Sequence, residues 1–197
     1  GLGKTIVGIL LLSEALEKYP KSKIIILAPT RPLVSQHKAS CEDFLNIDST
    51  LITSFTGKIS PEKRILLFNS SKIIVSTPQV IKNDVERGRY DLKHVSLIIF
   101  DEAHHATGDY AYIFIADEYR NQNPDGTILG LTASPGASKE KIRILCENLY
   151  IPLKNIHTRT RKDMDVKSYL KPMDIYKIGV NLNTFMADLY KLVNTVL

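Results

Sequence analysis

Leu97-Ile98-Ile99-Phe100-Asp101-Glu102-Ala103-His104 is an apolar, β-branched run that passes without a break into two carboxylates. A short continuous apolar stretch of this kind reads as a strand covered on both faces, as in a parallel sheet. Its carboxylates then stand where the strand leaves the sheet. At the start of the chain, Gly1-Leu2-Gly3-Lys4-Thr5 reads as the tail of a phosphate-binding loop of the pattern G-x-x-x-x-G-K-[ST], whose first glycine would precede Gly1. In such a loop, backbone N–H groups wrap the phosphates, the lysine balances β- and γ-phosphate charge, and the hydroxyl binds Mg²⁺. Gly1, Leu2, Gly3, Lys4 and Thr5 are therefore the candidate ATP-binding residues. Lys4 takes the charge role, and Thr5 with Asp101 holds Mg²⁺, Asp101 directly or through water. Glu102 is placed to polarise the attacking water. Taken singly, each fragment has an ordinary reading: a Gly-Lys-Thr triplet arises by chance, Asp-Glu can open a helix, and His104 and His105 can be surface residues. Their order, in an α/β chain, points to hydrolysis of a nucleoside triphosphate.

Outward from these motifs, short β-branched runs alternate with helical patterns. The strands expected are Lys23–Ala28, Thr50–Phe55, Lys72–Ser76, Val95–Phe100 and Thr127–Leu131. The helices expected are Thr5–Tyr19, Pro32–Leu45, Pro61–Asn69, Gln79–Glu86, Tyr110–Asn121 and Ser138–Asn148. Such alternation predicts βαβ units and a mostly parallel sheet with helices on both faces. The helix after the phosphate loop would direct its positive end at the phosphates. Beyond Ile151 the pattern changes. Thr158 to Pro172 is charged and reads as a connector, Asp174–Leu182 as one more strand, and Asn183–Leu197 as the start of a helix with Thr184 a candidate N-cap. The domain reading is thus 1–151, then a connector and strand over 152–182, then a helix over 183–197, with the chain cut at both ends.

Composition sets the outer bounds. With 197 residues, 44% hydrophobic and 24% charged, the chain has the make-up of one sizeable globular α/β domain. No apolar run approaches the roughly 18 residues of a membrane span, and no signal peptide is read, since the chain opens inside a phosphate loop. Cys41 and Cys146 lack metal-site spacing and suit buried thiols in a reducing compartment. Net charge is +5. Residues 58–93 carry eight Lys/Arg against four Asp/Glu, and residues 154–177 seven against three. Residues 101–125 carry six acids and one base, Arg120. The basic stretches suit a polyanion, although a mild excess also fits solvated surface. His37, His94 and His157 show no ligand-like spacing and read as structural or surface residues. Tyr110 and Tyr112 read as packing groups.

In sequence order, the motifs resemble the first RecA-like domain of superfamily 2 helicases, a P-loop NTPase fold. Lys4-Thr5 matches motif I, and Ala28-Pro29-Thr30-Arg31-Pro32-Leu33-Val34 is similar to motif Ia. Phe55-Thr56-Gly57 looks like the glycine motif that follows it. Ser76-Thr77-Pro78-Gln79 is similar to motif Ib, Asp101-Glu102-Ala103-His104 to motif II (the DEAH box) and Leu131-Thr132-Ala133-Ser134-Pro135 to motif III. Within that superfamily, Leu131 to Gly136 and the stretch Arg159 to Val166 leading to Tyr169 resemble the archaeal Hef and Fanconi-anaemia M branch, with RIG-I-like receptors and Dicer as cousins.

That resemblance implies an ATP-dependent DNA helicase or translocase acting on forked or branched DNA in repair and at stalled forks, with ATP and Mg²⁺ as cofactors. It implies nucleic-acid contacts from Pro29, Thr30, Arg31, Thr56, Gly57, Thr77, Pro78 and Gln79. Thr30 and Thr77 each stand where a helix cap is expected, so free N–H groups there suit phosphates, although both segments also read as ordinary β-to-α turns. His104, Thr132 and Ser134 would couple the nucleotide to the polymer. A second RecA-like domain of the same parent would supply arginine fingers and half the track, so this chain alone is expected to be nearly inactive. No membrane partner is expected, and the location expected is cytoplasmic, inside a prokaryotic or archaeal cell, or nuclear in a eukaryote. Two other readings stay open: a double-stranded-RNA-activated ATPase of the RIG-I type, and a non-catalytic nucleic-acid-binding module.

Overall fold

The structure, a computed structural model, describes residues 3–136, 138–160, 163–164, 176, 178–179 and 183–196. Gly1 and Leu2, most of the stretch from Arg161 to Tyr169, and most of the strand expected over Asp174–Leu182 lie outside the described residues. The elements run α1 (Lys4–Lys18), β1 (Lys23–Leu27), α2 (Arg31–Phe44), β2 (Ile52–Phe55), α3 (Pro61–Ser70), β3 (Ile73–Ser76), α4 (Pro78–Glu86), β4 (Val95–Asp101), α5 (Ala111–Gln122), β5 (Thr127–Leu131), α6 (Lys139–Asn148) and α7 (Thr184–Val196). The compact unit ends at Thr158, and α7 belongs to a second unit from Arg159 onward.

Among the described residues all strand pairs are parallel, in the order β2-β3-β1-β4-β5. Parallel strands need a crossover between neighbours, and the helices supply it. The alternation of strand side chains divides the core. Ile25, Leu27, Ile74, Ile98 and Phe100 face a layer made by Phe68 of α3, Val80, Ile81 and Val85 of α4, Tyr112, Ile115 and Tyr119 of α5, and Leu145 of α6. Ile24, Ile26, Ile73, Val75, Leu97 and Ile99 face Ile9 and Leu12 of α1 and Val34 and Cys41 of α2. The uninterrupted apolar runs read from sequence are thus two interleaved sets, one for each covered face.

Boundaries follow local chemistry. Thr30 precedes α2, and its Oγ1 accepts from Leu33 N at 3.5 Å, with Pro32 in the first turn. Ser60 does the same for α3, accepting from Lys63 N at 3.4 Å. The expected strand Thr50–Phe55 is shorter than its sequence suggests. Asp48 Oδ1 accepts from both Thr50 N and Thr50 Oγ1 at 2.8 Å and folds Ser49–Leu51 into a 3₁₀ turn, so β2 starts at Ile52. Two cap expectations are corrected. Thr77 occupies the N-cap position of α4, with Pro78 following, but its side chain makes no cap bond. At α7 the cap is Asn183, whose Oδ1 accepts from Met186 N at 2.9 Å, and Thr184 is already helical. Among the described residues no helix is long and apolar enough to cross a membrane.

Candidate functional site

One register row crosses the whole sheet: Phe55 pairs Ser76, Ser76 pairs Leu27, Leu27 pairs Phe100, and Phe100 pairs Gly130. Each sequence motif leaves the sheet one residue beyond that row. Thr56, Thr77, Ala28, Asp101 and Leu131 therefore stand side by side along one edge, at the carboxyl ends of the strands. Ligands of open parallel sheets bind at this edge, beside the point where strand order reverses. Here that point lies between β1 and β4, because the chain builds β2 and β3 on one side of β1 and then β4 and β5 on the other.

Asp101 ends β4 and is buried at 7% exposure. Burial pushes its carboxyl up, but a hydrogen bond and charge from His37, the Glu102 N–H and the Lys4 charge together hold it below the ordinary aspartate value. The resulting carboxylate can only accept hydrogen bonds, which places the facing imidazole proton on His37 Nε2, 2.7 Å from Asp101 Oδ2. Tyr112 Oη, buried beneath, lies 2.6 Å from the Asp101 backbone oxygen and 3.2 Å from that of Leu27, pinning the β1–β4 edge. Glu102 follows in the left-handed region (φ 49°, ψ 50°), an unusual conformation for a residue bearing a Cβ. That turn breaks the strand and starts the short helix Ala103–His105.

Lys4 opens α1, and its N-cap Gly3 adopts φ 80° with no side-chain cap. The first-turn N–H groups of α1, which lack intrahelical acceptors, are left for a ligand. Of Gly3, Lys4 and Thr5, Lys4 lies near enough to Asp101 for its charge to act on the carboxylate. The three candidate coupling residues are also brought together. His104 Nδ1 lies 2.9 Å from Thr132 Oγ1 and 3.3 Å from Glu102 Oε2, while Ser134 N donates to the same Thr132 oxygen at 3.1 Å. An Nδ1–H shared between the carboxylate and the hydroxyl satisfies both acceptors. The rings of His104, His105, Tyr110 and Tyr112 touch in succession, tilted, stacked and then edge-on, with centroids 4.4, 5.2 and 5.0 Å apart. The two tyrosines pack within the domain, as their sequence context predicts.

The polymer-contact candidates lie at the β1, β2 and β3 ends. Thr30, Arg31, Gly57 and Gln79 are exposed, Pro29, Thr56 and Thr77 are half-buried, and Pro78 is buried as the first residue of α4. Arg31 and Gly57 meet: a Cβ on Gly57 would stand 4.0 Å from Arg31 Nη2. Sequence reasoning missed His37. It sits on the buried stripe Val34, His37, Cys41 of α2, and its bond spans 64 residues to Asp101. The available signal was a histidine on an apolar helical stripe, three residues beyond a motif.

The profile of the DEAD/DEAH box helicases matches residues 1–142. The chain belongs to the DEAD/DEAH box helicase family. A helicase of Methanocaldococcus jannaschii, named provisionally as an ATP-dependent RNA helicase, is 44% identical over all of this chain and 25% of its own length. The ATP-dependent DNA helicase fml1 of Schizosaccharomyces pombe is 31% identical, covering 96% of this chain and 22% of its own. The DEAD-box ATP-dependent DNA helicase Fancm of Drosophila melanogaster is 35% identical over 92% of the chain and 12% of its own. The crystal structure of the Pyrococcus furiosus Hef helicase domain superposes with a TM-score of 0.83 at 42% identity, covering 100% of this chain and 40% of that one. The chain therefore spans a quarter or less of these curated relatives, and its fold is the RecA-like one of the Hef helicase domain, in the branch that the motifs resemble.

Proposed function

We propose that this chain is the ATP-binding domain of an ATP-dependent DNA helicase or translocase acting on forked or branched DNA. The observation that carries the reading is the shared edge. Lys4, Asp101 and Glu102 gather at the switch point, and Thr30, Arg31, Gly57 and Gln79 continue the same edge over β1, β2 and β3. The Hef-type resemblance supplies the branched substrate class. One relative bears the name of an RNA helicase, which keeps duplex RNA as the second reading. Phosphate contacts at helix starts serve either polymer, so the polymer must be decided by assay.

The residues suit Mg²⁺. Among the described residues no cluster of three or more acidic, histidine or cysteine side chains forms a metal cage. One carboxylate, Asp101, and one hydroxyl, Thr5, are hard oxygen donors, and Mg²⁺ is held by one or two protein oxygens plus water and substrate phosphates. Bound there, Mg²⁺ would neutralise charge on the β- and γ-phosphates. Lys4 and the first-turn N–H groups of α1 bind and orient those phosphates. Glu102 orients a water for attack on the γ-phosphorus and takes its proton as the bond to ADP breaks. His104 and Thr132 tie Glu102 to the strand end that carries motif III. A second RecA-like domain in the parent supplies the arginine finger, worth about 10³–10⁵ in rate, so the isolated chain turns over poorly.

Steady-state ATPase of the complete natural protein, with no polymer, forked DNA or duplex RNA, tests the reading. Stimulation by forked DNA supports it, and stimulation by duplex RNA alone moves the protein to the RNA-activated class. In the same assay Glu102→Gln should bind ATP and lose nearly all turnover, whereas Lys4→Ala should weaken ATP binding. Unchanged turnover in Glu102→Gln would overturn the site assignment.

A further inference from the structure

His37 is the residue at this site that neither the motifs nor the family resemblance assigns. It is 8% exposed, projects from the middle of α2, and reaches across to the carboxylate that ends β4. We propose that His37 is a positioning residue that fixes the Asp101 carboxylate for Mg²⁺·nucleotide and ties it to the polymer-gripping start of α2. The inference rests on the proposed ATPase reading and adds a part to it.

Three observations carry it. First, the bond takes one oxygen of Asp101, Oδ2, at 2.7 Å, and so fixes the carboxylate plane and leaves Oδ1 as the oxygen free of that bond. Metal-binding carboxylates depend on such partners, and loss of the partner typically costs about 10–100-fold in metal affinity or activity. Second, a packing role alone does not explain a histidine here. The positions flanking it on the stripe, Val34 and Cys41, are buried and apolar, and an aliphatic residue at 37 would continue that face with no polar group to satisfy. Third, α2 is continuous from Arg31 to Phe44. Six residues of α-helix rise about 9 Å, so a shift of Arg31 on a phosphate is carried through a rigid helix to His37, and from there to Asp101.

The test uses the complete natural protein and two replacements of similar size. His37→Gln keeps an N–H donor, and His37→Met has none. A fluorescent ADP analogue is titrated at a series of free Mg²⁺ concentrations, with thermal melts and polymer-stimulated ATPase alongside. The expected result is that His37→Met binds the Mg²⁺-free analogue as the parent does but needs about tenfold or more Mg²⁺ to reach the same occupancy. Its stimulation by forked DNA also falls, and His37→Gln restores both. A folded His37→Met protein with the parent's Mg²⁺ dependence would overturn the proposal. If His37→Met does not fold, His37→Gln still decides: a folded Gln protein with a tenfold weaker Mg²⁺ response refutes the hydrogen-bond account, and a parent-like response upholds it. Glu102→Gln is the control that separates the two readings, since it should show the parent's Mg²⁺ response without turnover. Absence of any Mg²⁺-dependent nucleotide binding in parent and control alike would remove the ATPase reading and this inference with it.

Discussion

Asp84 is the most consequential buried charge outside the nucleotide site. It is fully buried, and it accepts from Arg64 Nε and Nη2 at 2.6 Å, Arg89 Nη1 at 2.5 Å and Tyr90 Oη at 3.1 Å. Arg64, itself 6% exposed, also donates to the backbone oxygen of Ile59, at the end of the loop that holds Gly57. The cluster therefore clamps α3 to α4 beside the loop that holds Gly57. Asp84→Ala leaves Arg64 buried without its carboxylate, a loss that costs about 3–5 kcal/mol. For a domain of this size each kcal/mol moves Tm by about 2–4 °C, so the melt should fall by roughly 6–20 °C. Far-UV circular dichroism on the chain measures it. A shift below about 3 °C would refute the claim that this ion cluster, and not the apolar layer around Phe68 and Val85, decides how α3 sits on α4. The pH dependence gives a second check. Burial pushes the Asp84 carboxyl up, and hydrogen bonds from Arg64 and Arg89 outweigh it, so the folded value is depressed. Stability from Asp84 is then present above the unfolded value of about 3.9 and lost as pH falls through the lower folded one. The gap between parent and Asp84→Ala should accordingly narrow below about pH 4.

Three further outcomes are expected. Gly126→Ala places a Cβ against Oη and Cζ of Tyr119, a buried ring whose hydroxyl is anchored to the Val95 oxygen at 2.9 Å, so overpacking should cost about 1–3 kcal/mol in a denaturant melt. Burial, with the Glu42 charge beside it, pushes the Cys41 thiol up to about 12, and burial also raises Cys146. Both should therefore react with a thiol reagent at pH 8 only after denaturation, and rapid native-state labelling would contradict their placement. Thr132→Val removes the oxygen shared by His104 and the Ser134 N–H. It should cut forked-DNA-stimulated turnover of the complete protein while nucleotide affinity, read by equilibrium binding, stays near the parent's.

The strand runs were legible because a strand covered on both faces has few polar positions to disguise it. Lys23–Leu27 and Val95–Asp101 appear within a residue or so of their sequence readings. Helix starts were legible where a side chain or a proline marks them, as at Thr30-Arg31-Pro32 and Ser60-Pro61. Local rules failed where two neighbours compete for one role. Asp48 drew Thr50 out of the sheet, and Asn183 took the cap assigned to Thr184. Thr77 has the residue type and the place for capping, yet its side chain is not used. The motifs named the candidate site residues, because phosphate and water chemistry call for Lys, Thr, Asp and Glu at set points along the chain. Contacts between motifs were a different matter. His37 meets Asp101, Arg31 approaches Gly57, and His104 joins Glu102 to Thr132 only because five parallel strands align their ends in one register row. The sequence by itself determined the class of fold and the polar groups that each motif offers, since both follow from periodicity and residue type within a few residues. The tertiary structure alone decided which motifs touch, because a hydrogen bond across 64 residues depends on strand order and helix packing that no local pattern encodes.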